Sequence, residues 1–352
     1  MASSRNPRDS HQLTDFQPPQ HLVVAIAECL DAQPGLDCFA VGLSGGPDSA
    51  ALAICCAKLA QQNQLELHLF HVHHGLHPQA DQWLASAADL AQRLGLDLTT
   101  QKVVVDLSAG LGLEAAARQA RYAALLEMSH AHGVNALLLA HHMQDQAETV
   151  LLRLLRGAGV MGLGAMRSVT PQGNVLWLRP WLDVEHEEIL AVVNAFSAST
   201  GWQPVDDPSN RDEALGRGAL RERVIPALKG RWPAWHRTLS RHAQQAAEAE
   251  QLLSEFGQQL LQTVVAPALP KEKSCVIDLL SWRGLSQAQQ ALVLRTWLAQ
   301  AGVPMPTQAR LGDLMRQLRQ LHALGHDRAL QWQHGASAIY CVRGRIELHA
   351  KI

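Results

Sequence analysis

The residues most able to do chemistry are Ser44-Gly45-Gly46-Pro47-Asp48-Ser49, which follow an apolar run and lead into the helical stretch Ala50–Leu59. Two glycines let the backbone approach an anion closely, a proline suits the first turn of a helix, and the helix N-terminus turns its amides toward the ligand. The chemistry implied is the cradling of a pyrophosphate group. The loop lacks the lysine and four-residue spacer of a Walker A loop. Its bland counterpart is a tight strand-to-helix turn. Further on, His71, His73, His74 and His77 crowd one stretch. They invite a metal, but alternate strand residues face opposite sides and no carboxylate or cysteine completes a set in the run. Arg118 and Arg121 share one face of a helix and could present two guanidinium groups to phosphate; the cheaper reading of Glu114 and Arg118 is a solvated i,i+4 pair. His141 and His142 close an apolar strand, and Asp145 and Glu148 follow at i,i+3 on the next helix, so both carboxylates project from one face. A purely structural reading makes Asp145 a partner of that helix's dipole.

Positioning these groups takes alternating elements. Strands are expected at Cys38–Leu43, Leu65–Val72, Leu98–Val105, Ala136–Ala140 and Val175–Leu178. Helices are expected at Asp48–Gln61, Ala80–Leu94, Leu113–His132, Gln144–Arg156 and Glu185–Ser199. That order predicts an α/β fold, a parallel Rossmann-like sheet covered on both faces with ligands at the carboxyl ends of its strands. Residues 1–20 read as a disordered leader, 21–205 as the catalytic domain and 206–230 as a linker with a connecting helix. Residues 231–352 read as a smaller, mainly helical domain, with helices near Gln287–Ala301 and Gln308–His322 and a terminal hairpin between Leu330 and Leu348.

At 352 residues the chain is long enough for two cores, and 47% hydrophobic with 18% charged residues is a globular balance. No run approaches a membrane span and Met1–Gln20 lacks an apolar signal region, so a cytoplasmic location without membrane partners is expected. Six cysteines with no C-x-x-C pair argue against a disulfide framework and against a zinc or iron–sulfur site. The net charge of −2 divides unevenly: residues 1–205 hold 11 Lys and Arg against 19 Asp and Glu, residues 206–352 hold 19 against 13. A basic second half is what a polyanionic partner would meet, or simply a set of arginine-rich helical surfaces.

The Ser44–Ser49 string resembles the SGGxDS signature of PP-loop ATP pyrophosphatases. His71–His77 resembles HVxHGL, Glu114–Tyr122 resembles EAxARxxRY, and Ala140–Met166 resembles the HHxDDQxET…LLRGxGxxGLxxM signature of tRNA(Ile)-lysidine synthetases. Arg179-Pro180-Trp181-Leu182, Asp207-Pro208-Ser209-Asn210 and Arg217–Arg221 are similar to further landmarks of that family. Gln144 stands where the family usually has an aspartate, and Gly218 replaces an asparagine.

The resemblance implies ligation of L-lysine to C2 of the wobble cytidine in the CAU anticodon of tRNA(Ile), through an adenylated base, with ATP and Mg2+ as cofactors. It implies that Ser44, Gly45, Gly46, Pro47, Asp48, Ser49, His71 and His74 hold the nucleotide, with Asp48 also toward magnesium. Asp145, Glu148, Arg118 and His141 are the expected catalytic set, the two carboxylates anchoring lysine. Arg121, Arg217 and Arg221 are the expected tRNA or phosphate contacts. Trp202, Trp232 and Trp235 are read either as stacking platforms for loop bases or as packing. Oligomeric state is open, a homodimer included. The rival readings are a 2-thiolating PP-loop tRNA enzyme, an amide-forming synthetase, and a non-catalytic tRNA- or nucleotide-binding relative.

Overall fold

The structure is a computed structural model, and it describes residues 16–33, 35–75, 77–106, 112–207, 212, 215–267, 275–321 and 330–350. Two compact units divide at Ala246/Ala247. The first begins with α1 (Gln20–Asp31), followed by β1 (Cys38–Gly42), α2 (Pro47–Asn63), β2 (Glu66–His73), α3 (Ala80–Leu94) and β3 (Leu98–Lys102). Then come α4 (Leu113–Ala131), β4 (Ala136–Leu138), α5 (Met143–Leu155), α6 (Val160–Leu163), β5 (Val169–Gln172), β6 (Val175–Leu178) and α7 (His186–Thr200). Beyond them lie α8 (Gly216–Ala219), a π-helical turn at Leu220–Val224, α9 (Ile225–Arg231) and α10 (Trp235–Thr263).

The sheet order is β3-β2-β1-β4-β6-β5. All pairings are parallel except β5 with β6. The strands bury both faces, as a covered parallel sheet requires. Phe39 and Val41 of β1, Leu69 of β2 and Leu138 of β4 point into the core beneath α1, α2, α3 and α7. Their alternates Ala40, Phe70, Leu137 and Trp177 point into the core beneath α4. Because β1 continues to β2 on one side while β4 pairs on the other, strand order reverses between β1 and β4, and a crevice opens there at their carboxyl ends. Both chemistry-bearing segments, Ser44–Ser49 and His141–Glu148, leave from those two strand ends.

Three features differ from the sequence expectation. Phe16 packs edge-on against Phe196, with centroids 5.3 Å apart, and α1 starts at Gln20, so the expected leader is ordered over its last five residues; residues 1–15 lie outside the described set. The antiparallel edge strand β5 was not expected, because Pro171 interrupts it, and an edge is where a strand tolerates proline. The sequence reading ends the catalytic domain at 205 and makes 206–230 a linker, whereas the first compact unit runs on through Ala246. Leu220, Ile225 and Trp235 pack on Ala147 of α5, and Ala243 packs on Val150. The helical segment after residue 215 thereby belongs to the first core.

The second unit holds the end of α10, β7 (Ile277–Asp278), α11 (Leu279–Gly284), α12 (Gln287–Gln300), α13 (Gln308–Gln320), β8 (Leu330–His334), β9 (Ser337–Val342) and β10 (Arg345–Ala350). The tail is more than a hairpin: an antiparallel sheet ordered β7-β10-β9-β8. Trp282 and Trp297 are fully buried in its core, each adding roughly 2–3 kcal/mol by area. Asp278 caps α11 at Ser281 N, and Ser286 and Gln289 form a capping box on α12.

Candidate active site

The Ser44–Ser49 loop is closed by its own hydroxyl and backbone bonds. Ser44 N–H donates to Ser49 Oγ at 3.1 Å, and Ser49 Oγ–H donates to Gly46 O at 3.1 Å. Gly45 takes φ +92°, and a Cβ there would stand 3.3 Å from Trp83 O, so two constraints demand glycine. Its carbonyl accepts from Val205 N–H at 2.9 Å, tying the loop to the segment after α7. Gly46 caps α2, with Pro47 at its first position, and the 17-residue helix aims its N-terminus into the crevice.

A cavity of about 270 Å³ opens above the loop. Ser44, Gly46, Asp48, Ser49, His71, His74, Arg121, His141 and Asp145, all expected from sequence, line it, together with Tyr122, Val205 and Asp207. His71 donates from Nδ1 to Leu43 O at 2.9 Å; burial pushes its pKa down, only partly offset by that bond. Burial likewise lowers His74, with Arg121 adding to it, and drives His141 down to about 3. Both imidazoles are neutral at physiological pH, and each buries an Nδ1 that lacks a hydrogen-bond partner among the described residues. Within the histidine run, His73 pairs with Asp81 at 3.0 Å and His77 stacks on Trp83 at 4.9 Å.

Beside the cavity lies a charged cluster. Glu148 is 0% exposed and takes a bidentate pair from Arg221, Nε to Oε1 at 2.8 Å and NH2 to Oε2 at 2.9 Å. Gln144 adds Nε2–H to Oε1 at 3.3 Å, so its amide serves the carboxylate one turn on. Asp145 accepts from His142 N–H at 3.3 Å and faces Arg217 and Arg221, each at 3.5 Å. Burial opposes its ionisation, but His142, His141 and the two arginines outweigh it and hold the pKa at about 2. Arg217 also donates to Thr149 Oγ1 at 2.9 Å. Arg217 and Arg221, expected at phosphate, are thus engaged by the very carboxylates expected to hold lysine. Arg118 lies over the Tyr122 ring at 5.0 Å and is not part of the cavity wall.

Sequence reasoning missed His142 and His186 as site residues. His186 Nε2 donates to Asp48 Oδ1 at 2.9 Å, and its ring stacks on His142 at 4.3 Å and 8°. Burial alone would lower the His186 pKa, but the bond to Asp48 and nearby carboxylates raise it. No local signal pointed there, since 138 residues separate the partners. Trp202 and Trp235 resolve as packing, 2% and 4% exposed, with Trp202 donating to Ser86 O at 3.1 Å; Trp232 is 60% exposed. The cysteines are free, and burial pushes Cys55 up to about 12. Pro208, Ser209 and Asn210 lie outside the described residues.

Residues 19–228 match the model of the PP-loop domain, and residues 278–347 match that of the TilS substrate binding domain. The chain is 49% identical over 324 residues to a tRNA(Ile)-lysidine synthase of Bordetella pertussis, covering 92% of this chain and 99% of the relative. The chain belongs to the tRNA(Ile)-lysidine synthase family. A member from Ralstonia nicotianae is 42% identical over 81% of this chain and 59% of its own length. Among solved structures, the U34-tRNA thiolase NcsA of Methanococcus maripaludis shares the fold at TM-score 0.52, with 16% identity over 65% of this chain and 78% of its own.

Proposed function

We propose that this enzyme performs the reaction its family is named for: ATP-dependent attachment of L-lysine to C2 of the wobble cytidine in tRNA(Ile) with a CAU anticodon, giving AMP and pyrophosphate. The observation that carries the reading is the placement of a PP-loop and a buried carboxylate–arginine cluster at adjoining strand ends around one cavity. Cytidine's C2 oxygen leaves poorly, and transfer of AMP onto it makes a leaving group that an amine can displace.

The Ser44–Ser49 loop would hold the phosphates of ATP through first-turn amides of α2. Asp48 offers the single carboxylate that magnesium asks of a protein when substrate phosphates supply its other ligands, so the residues fit that ion. Magnesium would neutralise charge on the departing pyrophosphate. Arg121, in the cavity wall, would face charge building on the α-phosphate. Asp145, ionised and in the same wall, would receive the lysine amine. Glu148, closed from solvent, would act by fixing Arg221 and through it the Asp145 carboxylate. Neutral His141, in the cavity wall with an unpartnered buried Nδ1, would offer a hydrogen bond to the substrate rather than take up a proton. The basic second half would contact the tRNA backbone, making affinity fall steeply with salt.

Pyrophosphate release from ATP tests the first step. It should depend on the isoleucine CAU tRNA and persist without lysine. Release that ignores tRNA would point to a nucleotide-hydrolysing relative. Asp145→Asn should lower lysine transfer by roughly 100-fold or more, with a smaller effect on pyrophosphate release; equal loss of both steps would remove Asp145 from the lysine site.

A further inference from the structure

Three helix starts bring Asp48, His142 and His186 to one point. Asp48 is the second residue of α2, His142 caps α5 and His186 opens α7. The Asp48 carboxylate is their shared partner, with Oδ1 2.9 Å from His186 Nε2 and Oδ2 3.8 Å from His142 Nε2. One ligand atom from each residue lies within 4.8 Å of the other two.

Ligand atoms held tetrahedrally by a zinc-sized ion, at bond lengths of about 2.0–2.1 Å, stand ~3.3 Å from one another. The measured separations, 2.9 and 3.8 Å, run to the two oxygens of one carboxylate and lie near that value. The two imidazoles stack nearly parallel, 8° apart at 4.3 Å, and an imidazole binds a metal in its own ring plane, so an ion enters when the half-buried His186 ring turns out of the stack and gives up the hydrogen that now bridges it to Asp48. The donor set decides which ion. Two imidazoles and one carboxylate suit zinc(II) and its neighbours in the first transition series, whereas magnesium takes oxygen ligands.

The elements that carry the ligands are held in place. His142 is 3% exposed, so the ring free to turn is that of His186, 28% exposed. Glu185, immediately before His186, is bound by His236 at 2.8 Å and by Arg237. Asp145 Oδ2 lies 3.4 Å from His142 Nε2 and adds negative charge beside the site.

We propose that Asp48, His142 and His186 form a binding site for a transition-metal dication, for which zinc(II) is the probe. On the ATP reading above, such an ion and magnesium–ATP compete for the Asp48 carboxylate, so zinc inhibits pyrophosphate release and excess magnesium relieves it. The binding itself does not depend on that reading.

A second grouping, Cys38, Glu66 and His68, gathers where β1 and β2 begin and supplies the control. Zinc titration of the full chain by calorimetry, without nucleotide or tRNA, should show one equivalent whose affinity falls on the order of 100-fold in His186→Ala. That side chain is 28% exposed, so the variant should keep its fold, which its melting temperature verifies. Cys38→Ser should leave that equivalent unchanged. Cobalt(II) gives a second reading: visible d–d bands without a thiolate charge-transfer band belong to the imidazole–carboxylate site. Zinc affinity unchanged in His186→Ala, loss in Cys38→Ser, or a thiolate band that vanishes with Cys38 would each overturn the proposal. Failure here leaves lysine transfer intact, and failure of lysine transfer leaves the zinc result intact.

Discussion

The Ser44–Ser49 loop and the Asp145–Glu148 cluster meet at one crevice but are built by opposite means. The loop is local and made of backbone: six adjacent residues, hydroxyl bonds that close on themselves, and a glycine at φ +92°. The cluster is made of side chains drawn from distant segments, with Arg221 reaching Glu148 across 73 positions. A backbone cradle depends on conformation, so it breaks when conformation is denied. A buried charge cluster depends on balance, so it breaks when one charge is removed.

The largest effect should come from unbalancing the cluster. Arg221→Ala leaves the fully buried Glu148 without its cation and should cost ~3–5 kcal/mol by chemical denaturation. The double variant Arg221→Met with Glu148→Leu should recover most of that stability without recovering lysine transfer. Recovery of both would mean that the pair serves folding alone.

Next comes Gly218. A Cβ there would lie 1.9 Å from the Asp212 carbonyl oxygen, so main chain must move. Gly218→Asn, restoring the residue usual in the family, should lose ~1–3 kcal/mol and displace Arg217 and Arg221 from their carboxylates. A fully active, equally stable variant would show that the Asp212 segment yields at no cost.

Gly45→Ala tests the cradle and should cost ~1–2 kcal/mol, with ATP affinity falling more than stability does. Unchanged ATP affinity would mean that the loop tolerates a side chain where phosphate is expected.

The smallest effect is a matter of pH. His141 is held at about 3 against an ordinary 6.5, so the unfolded chain binds its proton first and stability declines as pH falls below 6.5. At about pH 6 the loss is under ~1 kcal/mol, and His141→Gln should abolish it. Asp145 acts in a lower window: held at about 2 against 3.8, it stabilises above 3.8, and that contribution disappears as pH drops toward 2. The raised His186 has the opposite sign, stabilising below 6.5 and losing that contribution as pH rises through its folded value. Melting temperatures of the wild type and the two histidine variants across this range separate the contributions.

The same division explains what could be read in advance. Local patterns marked the loop and the parallel strands of the first sheet, because short β-rich apolar runs and glycine chemistry are written in adjacent residues. Val175–Leu178 and Ala80–Leu94 fall where periodicity places them. The cluster was half legible. Asp145 and Glu148 share a helix and were found as a pair, but their compensation by Arg217 and Arg221 is a tertiary fact. So is the hydrogen bond between His186 and Asp48. The extent of the first compact unit was hidden for a related reason: Leu220, Ile225 and Trp235 look like one more amphipathic segment until the surface they cover is known.

The central claim is that one crevice both activates a cytidine with ATP and delivers lysine to it. The most direct test is incubation with ATP, magnesium and radiolabelled lysine together with the isoleucine CAU tRNA, using the methionine CAU tRNA as control, and counting label retained on tRNA. Label on the isoleucine tRNA alone, abolished by Asp145→Asn, is the expected result. A folded protein that releases pyrophosphate yet leaves both tRNAs unlabelled would contradict it.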